Sequence, residues 1–184
     1  TEAFLCKTPR VRQAEGDDRK AYDSWMPQLV ARRRGPAPLA SVFVAVHEPF
    51  KPQPFIAEVR GALLDPPAEF GAALVVRHGD FTDTIVSTLD EPPYAERRLP
   101  GDLLLRGRLA VIRERGGQVV AAWLVDGERV AKDTFTLTAA APRYEGAIES
   151  ATRKADGAPD EAFLTSTSLP VGAALRGQWV VVTP

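Results

Sequence analysis

Short apolar runs separated by clusters of Gly, Pro, Asp and Ser dominate this chain, and most of the runs alternate with period two, as β-strands do. The clearest passage is residues 103–137. In LLLRGRLAVIRE, simple alternation puts Leu103, Leu105, Leu109 and Val111 on one face, and Arg106 and Arg108 together on the other. Gly116-Gly117 reads as a hairpin turn, residues 119–125 as the return strand, and Asp126-Gly127 as a second hairpin turn. ERVAKDTFTLTA adds one or two strands, with Phe135 and Leu137 alternating against threonines.

Upstream, AALVVRH and FTDTIVST read as two strands around a tight Gly79-Asp80 turn. SVFVAVHEPF, residues 41–50, is apolar on both alternating faces as far as His47 and Glu48. That pattern predicts a strand covered on both sides, with Pro49 ending its ladder. FIAEVRGALL fits either period, and its β-branched Ile56 and Val59 favour a strand. DEPPYAERRLPG, residues 90–101, reads as a proline-punctuated surface loop. Residues 143–151, FLTSTSL and QWVVVT add strands, with the polar segment TRKADGAPDE as a loop.

The first 40 residues are mixed. TEAFLCKTPRVR is compatible with an extended lead-in strand, and a short helix is predicted around residues 21–29. RRRGPAP at residues 32–38 is a breaker cluster, where a solvated loop is the plainer reading of three adjacent arginines. The expectation is therefore an all-β protein, an antiparallel β-sandwich of about nine or ten strands spanning residues 41–184, behind an N-terminal extended segment, residues 1–40. The missing initial Met and the apolar QWVVVTP end read as the ends of a piece cut from a longer protein.

Composition narrows the function classes. The 184 residues carry 23 Lys+Arg against 24 Asp+Glu, a formal net charge of −1, so no global positive field exists to hold nucleic acid or an anionic membrane surface. No apolar run approaches the length of a membrane-spanning helix, about 18 residues. A single cysteine, Cys6, excludes an intramolecular disulfide and a Cys-rich zinc site. His47 and His78 are the two histidines, and neither has metal-ligand spacing. His47 beside Glu48 could serve proton transfer, though a strand-end histidine at a sheet rim is the plainer reading. There is no G-x-S-x-G elbow and no phosphate-binding glycine loop, and the pairs Asp17-Asp18 and Asp90-Glu91 read as solvated surface. These residues predict no catalytic site, no metal and no cofactor.

Binding chemistry is better represented. Eighteen of the cationic residues are arginines, which can grip a carboxylate or sulfate with two parallel hydrogen bonds. Arg97, Arg98, Arg106 and Arg108 occupy one loop-strand unit where an acidic sugar could rest, with Tyr94 or Trp123 as an apolar platform. Solvated charges with local ion pairs are the competing reading, as core or interface packing is for Trp25, Trp123 and Trp179.

SVFVAVHEPF, continuing through FIAEVRGALL, together with GRLAVIRERGGQVVAAWLVDGERV, resembles the C-terminal β-rich region of heparinase II/III-like proteins. The resemblance covers residues 41–184 and rests on packing motifs. It implies a non-catalytic β-sandwich module that braces a helical toroid belonging to the same chain, in a periplasmic or secreted polysaccharide lyase. Such a parent cleaves uronic-acid polysaccharide by neutralising the carboxylate, abstracting the C5 proton and eliminating the 4-linked sugar. The family's catalytic Tyr and His have no match at any position of this sequence. The low-specificity candidates for contact with acidic polysaccharide are then Arg97, Arg98, Arg106, Arg108, Trp123 and His47. A free-standing carbohydrate-binding module and a structural domain of an unrelated surface protein are the alternatives.

Overall fold

A computed structural model describes residues 1–9, 25–169 and 182, and these are all-β and antiparallel with a sandwich-like arrangement. Eleven strands occur among the described residues: β1 Glu2–Pro9, β2 Trp25–Arg32, β3 Ile56–Ala62, β4 Ala72–His78, β5 Phe81–Ser87, β6 Glu96–Leu99, β7 Leu103–Arg115, β8 Gln118–Lys132, β9 Phe135–Thr138, β10 Ile148–Thr152 and β11 Ala162–Thr165. β1–β2 and β10–β11 are separate two-stranded ribbons. The remaining strands form one seven-stranded sheet in the order β3-β4-β5-β7-β8-β9, with β6 on β7 beyond the end of β5.

Two hairpins follow the turn residues. His78 pairs with Phe81 across Gly79-Asp80, and only Gly79 of the two has a positive φ, at 53°. Gly116 and Gly117 both have positive φ, 57° and 78°, which matches the right-handed twist of the strands they join. Asp126-Gly127 is different. Rather than turning the chain, it lies inside β8, where the register slips between the Arg106–Arg129 and Gly107–Gly127 pairs. Asp126 takes φ 49° there, so residues with turn chemistry form a β-bulge. The reversal comes later, at Asp133-Thr134.

That irregularity reorganises the core. Leu103 and Leu105 are buried before Gly107, but Ala110 and Ile112 are buried after it. Leu109 and Val111 therefore leave the set that strict alternation assigned to them. Gly107 and Gly127 make the crossing feasible, since a Cβ on Gly107 would lie 2.6 Å from the Gly127 Cα. The result is one cluster of Ala73, Val86, Leu99, Leu103, Leu105, Ala110, Ile112 and Val130, drawn from both halves of the sheet.

Three other expectations are corrected. Among the described residues, 41–50 pair with no strand, and Val42, Phe43, Val44, Val46 and Phe50 are exposed. β propensity there is not matched by a neighbouring edge among the described residues. Residues 25–29, expected in a helix, belong to β2, because β1 supplies a register-matched partner from Leu5–Leu29 to Pro9–Trp25; residues 21–24 lie outside the described residues. The supposed surface loop 90–101 contains β6, and its Tyr94, Arg97 and Leu99 are buried. The QWVVVT strand falls outside the described residues except for Val182, which is in no strand.

Candidate functional site: the outer face of the seven-stranded sheet

Direct cross-strand pairing shows which side chains share the face opposite the core. One row runs Leu74–Ile85–Val111–Trp123, and the next toward one end runs Ala72–Ser87–Leu109–Val125. In the other direction lie Val76–Asp83–Arg113–Ala121 and then His78–Phe81–Arg115. Leu109 to Arg115 covers about 20 Å of strand. Leu74, Ile85, Leu109 and Val111 are half-buried, and Trp123 remains 49% exposed. A half-buried aliphatic row with an open tryptophan on the second face means this sheet is apolar on both sides.

The two ends of the face are charged. At one end, the Asp83 carboxylate accepts from Arg113 Nε and Nη2, both at 2.7 Å, and from His78 Nε2 at 2.9 Å. The Arg113 hydrogen bonds hold Asp83 below the usual carboxylate range; burial opposes this and His78 adds to it. Because an ionised carboxylate only accepts, His78 must carry its proton on Nε2. The His78 ring lies 5.7 Å from Phe81 and 6.3 Å edge-on from Phe55. Arg113 and Arg115 both sit over Phe81, at 5.3 and 4.4 Å from its ring centre. Spacing along the chain does not reveal this cluster, because His78 lacks a metal-ligand pattern. The signal was present: a two-residue turn at Gly79-Asp80 places residue 83 diagonally across from residue 78.

At the other end, a cleft of about 290 Å³ is lined by Ser87, Thr88, Leu89, Arg108, Leu109, Val125 and Asp126. Asp126 accepts from the Tyr94 hydroxyl and from Arg108 Nη1 at 3.3 Å, with Arg143 at 3.6 Å. Burial, then the Asp126 carboxylate, pushes the Tyr94 phenol up to about 12.

The arginines nominated for an acidic sugar are not gathered into one open site. Arg97 is buried, holds both oxygens of Asp90 at 2.7 and 2.8 Å and donates to the Pro66 carbonyl, so Asp90 is no solvated loop carboxylate. Arg98 pairs with Glu96, Arg106 with Glu128 at 2.9 Å, and Arg108 with Asp126 and Glu91. Tyr94, 3% exposed, offers no platform. Trp123 does stand on the outer face, paired directly with Val111 and flanked along β8 by Ala121 and Val125. His47 is exposed and has no polar partner among the described residues. Its neighbour Glu48 turns instead to the Phe55 and Ile56 amides, at 2.6 and 2.5 Å.

The chemistry of the face follows. His78 and Asp83 form an oriented imidazole–carboxylate pair, but no hydroxyl or thiol hydrogen-bonds to that imidazole among the described residues. No group of three or more His, Cys, Asp or Glu side chains there could hold a metal ion. No helix among them is long and apolar enough to cross a membrane. Comparison with protein-family models, curated proteins and solved structures finds no match. The arrangement defines an antiparallel all-β domain whose sheet face away from the core carries a half-buried aliphatic row, with Trp123 and Val125 open, between two charged ends.

Proposed function

We propose that this protein is a non-catalytic β-sandwich module that braces a larger partner domain through the outer face of its seven-stranded sheet. The observation that carries this reading is the row Leu74–Ile85–Val111–Trp123, backed by Leu109 and Val125, on the face away from the core. A sheet spends apolar side chains on both faces when both are to be covered, and contiguous apolar surface marks docking sites. The partner suggested by the sequence resemblance is the helical toroid of a heparinase II/III-like polysaccharide lyase. The ion pairs of Arg97, Arg98, Arg106 and Arg108 weigh against these residues as a ready-made acidic-polysaccharide site.

The test combines binding and chemistry on the purified protein. Calorimetry against acidic and neutral polysaccharides at two salt concentrations should give no saturable binding, and no unsaturated-uronate absorbance should grow. An apolar fluorescent dye should bind the outer face, and Trp123→Ser with Val125→Thr should remove at least half of that signal while far-UV circular dichroism stays unchanged. Salt-sensitive polysaccharide binding lost on Arg106→Ala and Arg108→Ala would replace docking by substrate holding. Product formation would overturn the non-catalytic reading outright.

A further inference from the structure

Every other arginine of strands β3 to β7 has a carboxylate within 4.0 Å, but Arg115 makes no ion pair among the described residues. Arg115 is nevertheless held in place. It pairs across the sheet with Phe81 and lies over that ring at 4.4 Å, a geometry in which the ring attracts the guanidinium. Arg113 shares the same ring and commits Nε and Nη2 to Asp83, leaving its Nη1 without a hydrogen bond among the described residues. Asp83 is the one carboxylate within 4.0 Å of either arginine among the described residues, so the Arg115 guanidinium has no ion-pair partner at this end of the face. Rotamer ordering, normally a large cost of recruiting an arginine, is reduced in advance by the aromatic seat.

We propose that Arg115, with the free edge of Arg113, is the receptor for an Asp or Glu side chain of the protein domain that covers the outer face. The inference rests on the docking reading above and adds what sets its register. Charge complementarity names the partner's acidic group, and the adjoining row names its neighbours: a surface meeting Leu74, Ile85 and Val111 must itself be apolar. A sugar is the poorer occupant, because hydroxyls pressed on that aliphatic row would lose hydrogen bonds, and the ring of Phe81 is already taken by two guanidiniums. A carboxylate meeting Arg115 can form two parallel, charge-assisted hydrogen bonds.

The probe is glutarate, which carries the carboxylate of a Glu side chain, titrated into protein labelled for arginine side-chain nitrogen resonances. The Arg115 Nε–H signal should move saturably, while the exposed Arg129, which also lacks an ion pair among the described residues, should not. Arg115→Gln should weaken binding at least tenfold without changing the unfolding midpoint. Phe81→Leu, which keeps the charge and removes the seat, should weaken it less, by about threefold. Galacturonate, run in parallel, should bind no better than glutarate. An immobile Arg115 signal, or an equal shift at Arg129, overturns the receptor. Galacturonate binding tenfold tighter than glutarate overturns the protein partner in favour of an acidic sugar. The docking reading is separately read at Trp123 and Val125 by dye, so the receptor can fail while docking stands, and a failure of docking itself, which would remove both, is recognised by loss of the dye signal.

Discussion

At Tyr94 the cost of ionisation is set by position. The phenol is buried, and its proton is engaged by Asp126, which is itself neutralised by Arg108 and Arg143. The folded phenol ionises at about 12, whereas an unfolded tyrosine ionises near 10. Between those values the unfolded chain has lost a proton that the native chain keeps. Stability from this group is therefore complete below about pH 10 and is lost as the pH rises through the folded value. Urea unfolding of the wild type should weaken in that window, and Tyr94→Phe should flatten the dependence at a cost of about 0.5–1.5 kcal/mol near neutral pH. Absorbance titration gives the matching readout, a late tyrosinate step at about pH 12 that Tyr94→Phe removes.

Among the strands, those legible in the sequence were the ones whose turns and periodicity agree. β4 and β5 flank Gly79-Asp80, and β7 meets β8 at Gly116-Gly117, as the hydrophobic pattern predicted. Asp126-Gly127 misled because the same conformational freedom serves a turn and a bulge; only the partner strand decides between them, and that is a long-range fact. The face assignment of Leu109 and Val111 failed for the same reason, and with it most of the outer face. β6 was hidden among prolines, where Arg97 looked solvated because its partner Asp90 was not visible as one. Two substitutions probe these points. Gly107→Ala drives a methyl toward the Gly127 backbone and should destabilise the sheet by about 1–3 kcal/mol, read as a lower urea midpoint at unchanged slope. Val44→Pro removes an amide from a segment with no ladder among the described residues, so its effect should stay within about 0.5 kcal/mol. A loss comparable to Gly107→Ala would mean that residues 41–50 are paired in solution.

For the molecule as a whole, burial is unevenly shared. The core cluster lies within β4 to β8, and its partly buried neighbours extend only from Ala62 to Leu137. All eight residues of β2 are exposed, including Trp25, Met26 and Leu29, and so is most of β1. A two-stranded ribbon without a covered face is marginal in water, so the β1–β2 ribbon contributes little to the cooperative unit. Deleting residues 1–32 should therefore change the stability of the seven-stranded sheet by less than about 1 kcal/mol, and native-state hydrogen exchange should place β1 and β2 amides far below β7 and β8 in protection. The apolar side chains of the ribbon make this a demanding test. If deletion lowers the urea midpoint as severely as a core substitution, those side chains are buried in solution, and the surface that buries them is the outer face of the sheet or an equivalent apolar surface. If the midpoint holds, the ribbon does not cover the sheet in the isolated protein, which is the outcome the proposed docking of the outer face expects.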